Sequence, residues 1–154
     1  MTFEEAVLAT DIVADCLRLG LQALGSDSAK LVVAHTRDID GSVDIDSCLQ
    51  EQQPNAPRWD YVLGYRKHIF YVEVHPATTG HLDTMRRKLE WLRSWRRGTK
   101  LQALVNQSTE HWIVVGRTTI SKGAVHTRRL TALGLGIPVR SLDLDKTIQT
   151  HSER

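Results

Sequence analysis

Two β-rich runs, WDYVLGY (59–65) and IFYVEVH (69–75), stand only three residues apart, and that spacing limits the fold more than any other feature of the chain. Strands this close can pair only as an antiparallel hairpin, because a parallel pair needs a crossover of about a dozen residues or more. Arg66, Lys67 and His68 join them. Pro76 is expected to end the second strand, since proline cannot donate to a ladder. The spacing then predicts a helix over 79–97, with Leu82, Met85, Leu89, Leu92 and Trp95 as its apolar stripe and Gly98 as its stop.

The flanking sequence fills in the order of elements. Phe3, Ala6, Thr10, Val13, Leu17, Leu21 and Leu24 recur at steps of three and four, which predicts one helix over 3–24 with a stop at Gly25 and Ser26. LVVA (31–34) predicts a short strand, and the polar stretch 36–57 a long loop. HWIVVG (111–116) predicts a strand, 121–133 a helix, and IPVRSLDL (137–144) a last strand. A meander followed by a helical crossover implies an α/β domain over 1–145, with a mixed sheet flanked by helices on both faces. A tail over 146–154 is expected to fray.

Charge is unevenly spread. The net charge is only +2, yet residues 86–100 hold seven basic residues against one acid, Glu90. A second basic stretch includes Arg117, Lys122, Arg128, Arg129 and Arg140, while acids gather in the first third of the chain. Such a division can give one positive face despite a balanced total. No apolar run approaches a membrane span, and the acidic N-terminus lacks the pattern of a signal peptide. Cys16 and Cys48 stand alone, without metal-ligand or redox spacing. These features predict a cytoplasmic chain without a membrane partner.

Glu73 interrupts an otherwise apolar strand. Alternation puts it on one face with Ile69, Tyr71 and His75. Asp60 begins the preceding strand. Two carboxylates and an imidazole at one sheet edge would suit a hard cation, since magnesium takes a few carboxylate oxygens together with water and substrate phosphate. Such an ion activates water and stabilises the leaving oxygen of a phosphodiester. Register decides whether the site exists. A three-residue loop sets Asp60 opposite Val74, on the wrong face. A two- or four-residue loop, or a bulge, brings it together with Glu73 on one face.

Here the sequence resembles the PD-(D/E)XK nuclease superfamily, whose core runs helix, three-stranded meander, crossover helix, fourth strand (αβββαβ, the restriction-endonuclease-like fold). Asp60 matches the family's first acid, and Glu73 in E-V-H matches the second; the likeness in element order covers roughly 3–116. The resemblance implies that Asp60, Glu73 and the carbonyl of Val74 hold magnesium or manganese. His75 stands where the family has lysine, and Trp59 where it often has proline. A histidine there would orient or deprotonate water, or act as a ligand that favours manganese. In some members a basic residue of the next helix takes the lysine's role, which makes Lys88 the candidate.

The resemblance implies divalent-metal-dependent hydrolysis of a nucleic acid, DNA before RNA. Asp60, Glu73, His75 and Lys88 would act at the site, Arg86, Arg87, Arg93 and Arg96 would bind the backbone, and a homodimer is expected by analogy. The alternative is a catalytically degenerate relative that binds nucleic acid or a protein without cutting. Basic side chains neutralise phosphates and aromatic rings stack on unpaired bases, so Trp91, expected at the surface, could join that face, while Trp95 is expected in the core. Glu5 is expected to be a solvated surface acid, His111 and His126 structural or surface residues, and Asp44 and Asp46 capping or solvated ones. No glycine-rich phosphate loop or serine-nucleophile elbow is present, which leaves those hydrolase classes without support.

Overall fold

A computed structural model of the chain describes residues 1–118, 120 and 124–153. The hairpin lies at its centre. Strand β3 (Tyr61–Tyr65) and strand β4 (His68–Ala77) pair antiparallel, and strand β2 (Ile39–Asp44) pairs antiparallel with β3 on the other side. Helix α4 (His81–Arg97) then carries the chain across to strand β5 (Ser108–Thr118), which pairs parallel with β4. The result is a mixed four-stranded sheet in the order β2-β3-β4-β5. Beside it, β1 (Leu31–Val32) and β6 (Leu142–Asp143) form a two-stranded parallel sheet.

Alternation along the central strands divides the core in two. Val62, Ile69 and Tyr71 face one layer, packed with Phe3, Leu82, Met85, Leu89, Leu92 and Leu130. Leu63, Phe70 and Val72 face the other, packed with Leu24, Leu31, Leu142 and Leu144. Both faces of the sheet are therefore covered. Gly64 is required by close approach, since a Cβ there would lie 2.7 Å from the Phe3 side chain. Among the described residues no helix is long and apolar enough to cross a membrane.

Several elements depart from their expected limits. The helix expected over 3–24 is broken into α1 (Phe3–Leu8), α2 (Asp11–Ala14) and a 3-10 stretch, Gln22–Lys30, that is kinked at Gly25. The Thr10 hydroxyl donates to the Ala6 carbonyl, and Arg18 bridges to Ser42 through two backbone hydrogen bonds. Pairing with the sheet outweighs helical periodicity there. The loop expected over 36–57 contains β2 and a short helix, α3 (Ile45–Leu49). Asp40 of β2 is exposed, the hydroxyl of the buried Ser42 accepts from Ala23 N–H at 3.1 Å, and the strand bulges between Ile39 and Gly41, where Gly41 takes φ 141°. The LVVA run contributes β1 rather than the first strand of the meander. Pro76 does not end β4, because the ladder shifts register between His75 and Ala77, and a bulge tolerates proline.

Helix α5 spans Ala124–Leu133, so the start expected at 121 and Lys122 lie outside the described residues. The strand expected over 137–144 shrinks to β6 and a single bridge, Ile113 to Val139. The tail expected to fray forms α6 (Leu144–Ser152), capped by the Asp143 carboxylate accepting from Lys146 N–H at 3.0 Å. Asp145 anchors it by accepting from Ala34 N–H, the Tyr65 hydroxyl and Arg66. Cys16 and Cys48, expected to stand alone, are joined in a disulfide that ties the end of α2 to α3. The isolated spacing offered no sign of that pairing.

Candidate active site

The hairpin turn fixes the register on which the site depends. Tyr65 pairs with His68, so the connection has two residues, Arg66 and Lys67, with φ 51° and 65°. Two consecutive residues of positive φ make the tight turn whose twist matches antiparallel strands. Neither is glycine, and each left-handed residue costs about 1 kcal/mol. Arg66 is held there by Asp38 at 3.0 Å and Asp145 at 3.2 Å. Pairing then runs to Tyr61 opposite Val72, and the next step sets Asp60 beside Glu73.

The two acids are interlocked. Asp60 N–H donates to Glu73 Oε1 at 3.0 Å, and Val74 N–H donates to Asp60 Oδ2 at 2.9 Å. Lys88, from the middle of α4, donates to Glu73 Oε2 at 2.5 Å. Glu73 is fully buried and Asp60 half-buried. Loop 50–60 is tied down around them. Ile45 N–H donates to the Asp60 carbonyl at 2.8 Å, and Arg58 binds Asp46 and the Gln53 carbonyl. Asp44 caps α3 by accepting from Ser47 N–H, as its D-I-D-S setting suggested.

Burial dominates the electrostatics. It pushes Glu73 up to about 8, with the neighbouring Asp60 adding to the rise, while Lys88 and the Asp60 N–H oppose it without cancelling it. Burial also raises Asp60 to about 6 against the pull of Val74 N–H and Lys88. Two carboxylates beside one ammonium leave the ionised site short of positive charge. Asp60 Oδ1 accepts no hydrogen bond from a described residue, so a lone pair is open to a ligand.

Magnesium is commonly held by one or two carboxylates plus water and phosphate, so this pair meets the minimum for a cation site. Among the described residues no group of three His, Cys, Asp or Glu side chains is arranged to hold a metal ion. Val74, expected to offer its carbonyl, is tied to the site through its N–H.

His75 does not join the acids by a hydrogen bond. Its Nδ1 lies 2.9 Å from the Pro76 carbonyl oxygen, and its ring stands edge-on to His81, with centroids 4.5 Å apart. Burial, with help from Lys88 and His81, holds it below the usual histidine range. The cation beside Glu73 is therefore Lys88. His81, at the start of α4, was missed because no spacing marked it; its Nδ1 faces the Thr78 hydroxyl at 2.9 Å.

The basic helix is less free than its sequence suggests. Arg96 is only 6% exposed, lies over the Tyr71 ring and approaches Glu110, so it cannot grip a nucleic-acid backbone. Arg93 binds Glu110 and the Leu133 carbonyl. Both tie α4 to its neighbours. Arg86 and Arg87 are exposed but paired with Asp83, and Arg86 also with Glu90. Trp91, expected at the surface, is half-buried against the core, with its Nε1–H on Gln53; Trp95 packs against the core as expected, half-buried, and stacks on Trp91. Glu5 is exposed in the first turn of α1, as expected. Comparison with known families, curated proteins and solved structures finds no match.

Proposed function

We propose that this chain is a divalent-metal-dependent nuclease of the PD-(D/E)XK kind, with its core similar to the restriction-endonuclease-like fold. One observation carries the reading: Asp60 and Glu73 meet at the hairpin edge with the Lys88 ammonium on Glu73. Two acids and a lysine are the chemical set of that family's motif, with the lysine supplied here from the following helix. The order of meander, crossover helix and parallel fourth strand supports it further.

In this reading Asp60 and Glu73 hold magnesium or manganese, and the ion supplies an activated water and neutralises charge on the phosphate. Asp60 offers its open oxygen. Glu73 is held rigid by the Asp60 N–H and Lys88. Lys88 steadies negative charge that develops on the phosphate, and His75 lies further along the same face as a group able to exchange protons with solvent. DNA is the preferred substrate over RNA.

A second reading has its own support. Glu73 is fully buried and both its oxygens accept hydrogen bonds, an arrangement that also suits a relative that binds nucleic acid and does no chemistry. A cleavage assay on mixed DNA and RNA with magnesium or manganese separates the two. The native protein is expected to cut, and Asp60→Ala/Glu73→Ala to be inactive. A folded native protein that cuts with neither metal, and binds nucleic acid equally well after both substitutions, would leave the binding reading in place.

A further inference from the structure

The two flanks of α4 differ. Lys88, Trp91 and Trp95 recur at steps of three and four, so they run down one flank of the helix. Arg93 and Arg97 lie on the other, where Arg93 is engaged by Glu110 and Arg97 Nε donates to the Arg93 carbonyl at 3.3 Å. From the segment that precedes Asp60, hydrogen bonds and ring stacking lead along the first flank to a surface cleft. Arg58, two residues before Asp60, donates to the Gln53 carbonyl. Gln53 Oε1 accepts from Trp91 Nε1–H at 2.9 Å, and Trp91 stacks on Trp95 with ring planes 6° apart and centroids 5.7 Å apart. Trp95 in turn lines an open cleft of about 600 Å³ with Thr10, Asp11, Arg97, Thr99 and Lys100.

The chemistry of this flank is specific. Arg97 and Lys100 are exposed, and among the described residues neither has an acid within ion-pair distance, unlike Arg86 and Arg87. The one acid of the cleft, Asp11, is exposed to solvent. Trp91 and Trp95 pack against the core but remain half-buried, and the cleft that Trp95 lines adds the two cations without an ion pair among the described residues. Stacking and phosphate neutralisation together are the combination by which single strands are held. A duplex keeps its bases stacked on each other and has no free face to give them. Seven residues of helix separate Lys88 from Trp95, about 10 Å along the axis. That is the length of about three stacked nucleotides.

We infer that this flank and the cleft at its end form a track for single-stranded nucleic acid, leading from the phosphate at Asp60, Glu73 and Lys88, past Trp91 and Trp95, to a phosphate site at Arg97 and Lys100 across the cleft. The inference rests on the proposed function for where the strand leads. It names the substrate as a strand with unpaired bases beside the cut. Cations at a helix C-terminus also complement the helix dipole, a role that needs no ligand. The two roles differ in what their removal does to binding.

The test is fluorescence anisotropy with a labelled oligothymidylate of about ten nucleotides, in EDTA so that nothing is cut. A duplex of the same length and poly-glutamate serve as competitors. The oligothymidylate should bind at least about tenfold tighter than the duplex. Trp95→Ala should weaken it roughly tenfold, and Trp95→Phe should recover most of that. Arg97→Gln/Lys100→Gln, which alters exposed positions only, should lower the salt slope by about 1.4, or about 0.7 for each phosphate no longer neutralised.

Unchanged affinity and salt slope in Arg97→Gln/Lys100→Gln would overturn the inference, as would equal binding of duplex, or displacement by poly-glutamate at matched charge. Failure of the nuclease reading is distinct from these. Strand binding with the expected dependences but no metal-dependent cutting would sink the nuclease and keep the track. Cutting of duplex that ignores Trp95, Arg97 and Lys100 would do the reverse.

Discussion

At the scale of single residues, the pair between Lys88 and Glu73 decides most. Glu73 sits in the sheet where neighbouring positions are apolar, and burial alone would keep it neutral. Lys88 reaches it from α4 and supplies the only cation bonded to it among the described residues. Removing one partner of a buried pair leaves the other uncompensated, at a cost of about 3 kcal/mol or more. Lys88→Met should therefore destabilise the protein by roughly that amount at pH 9. The loss should be smaller at pH 6, where Glu73 escapes by taking up a proton. Urea unfolding at both pH values measures it, and an equal loss at both would show that Glu73 does not titrate between them.

At the scale of elements, the hairpin turn and the α3 segment hold the site in place. A turn one residue longer would send Asp60 to the opposite face. The register therefore requires two left-handed residues, only one of which has an evident compensation. Arg66 is held by Asp38 and Asp145, while Lys67 shows no such partner among the described residues. Lys67→Gly should relieve its strain and stabilise the protein by about 0.5–1 kcal/mol, less the entropy glycine adds to the unfolded chain. Guanidinium melts check this, and a drop in stability would mean that Lys67 makes an interaction worth more than its strain. The α3 segment does comparable work from the other side, through its hydrogen bond to the Asp60 carbonyl and its disulfide to the end of α2.

At the scale of the whole molecule, two sets of buried groups set opposite pH dependences. Asp60 and Glu73 lie at about 6 and about 8, so the folded chain keeps protons that the unfolded chain releases from about pH 4 upward. Their contribution is present at low pH and lost as pH rises through 6 and 8. His68 and His111, which share the Thr109 hydroxyl, are pushed down to about 4 by burial. Their contribution is present above about pH 6.5 and lost as pH falls toward 4. The two trends offset one another between pH 4 and 6, and the carboxylates prevail above that. Thermal melts should show the native protein losing stability from pH 6.5 to 8 relative to Asp60→Asn/Glu73→Gln. Manganese should restore it at pH 8 far more than at pH 5, where protons compete for the same oxygens. Parallel curves for the two proteins, with no effect of manganese, would mean that the pair neither titrates nor binds the ion.

Local pattern was sufficient for the middle of the chain. The spacing of 59–75, the stripe of α4 and the apolar run of β5 specify a hairpin, a crossover helix and a further strand, because each buries a face with a regular period. The same local signals mark Asp60 and Glu73 as polar residues at structured positions, while Lys88 becomes a candidate only through the resemblance to the PD-(D/E)XK family. Local pattern failed where long-range contacts overrode it. The helical stripe of 3–24 breaks because Arg18 pairs with Ser42, and the polar run at 39–44 is a strand because an edge strand needs only one partner. The tail folds because Asp145 finds Ala34, Tyr65 and Arg66, all distant in sequence. The turn length that joins Asp60 to Glu73, the pairing of Cys16 with Cys48, and the burial of Arg96 were likewise decided by packing. The sequence by itself determined which residues could do chemistry, since type and period are local properties. Only the tertiary structure decided which of them meet, since register, burial and the choice of Lys88 over His75 depend on how separate elements pack.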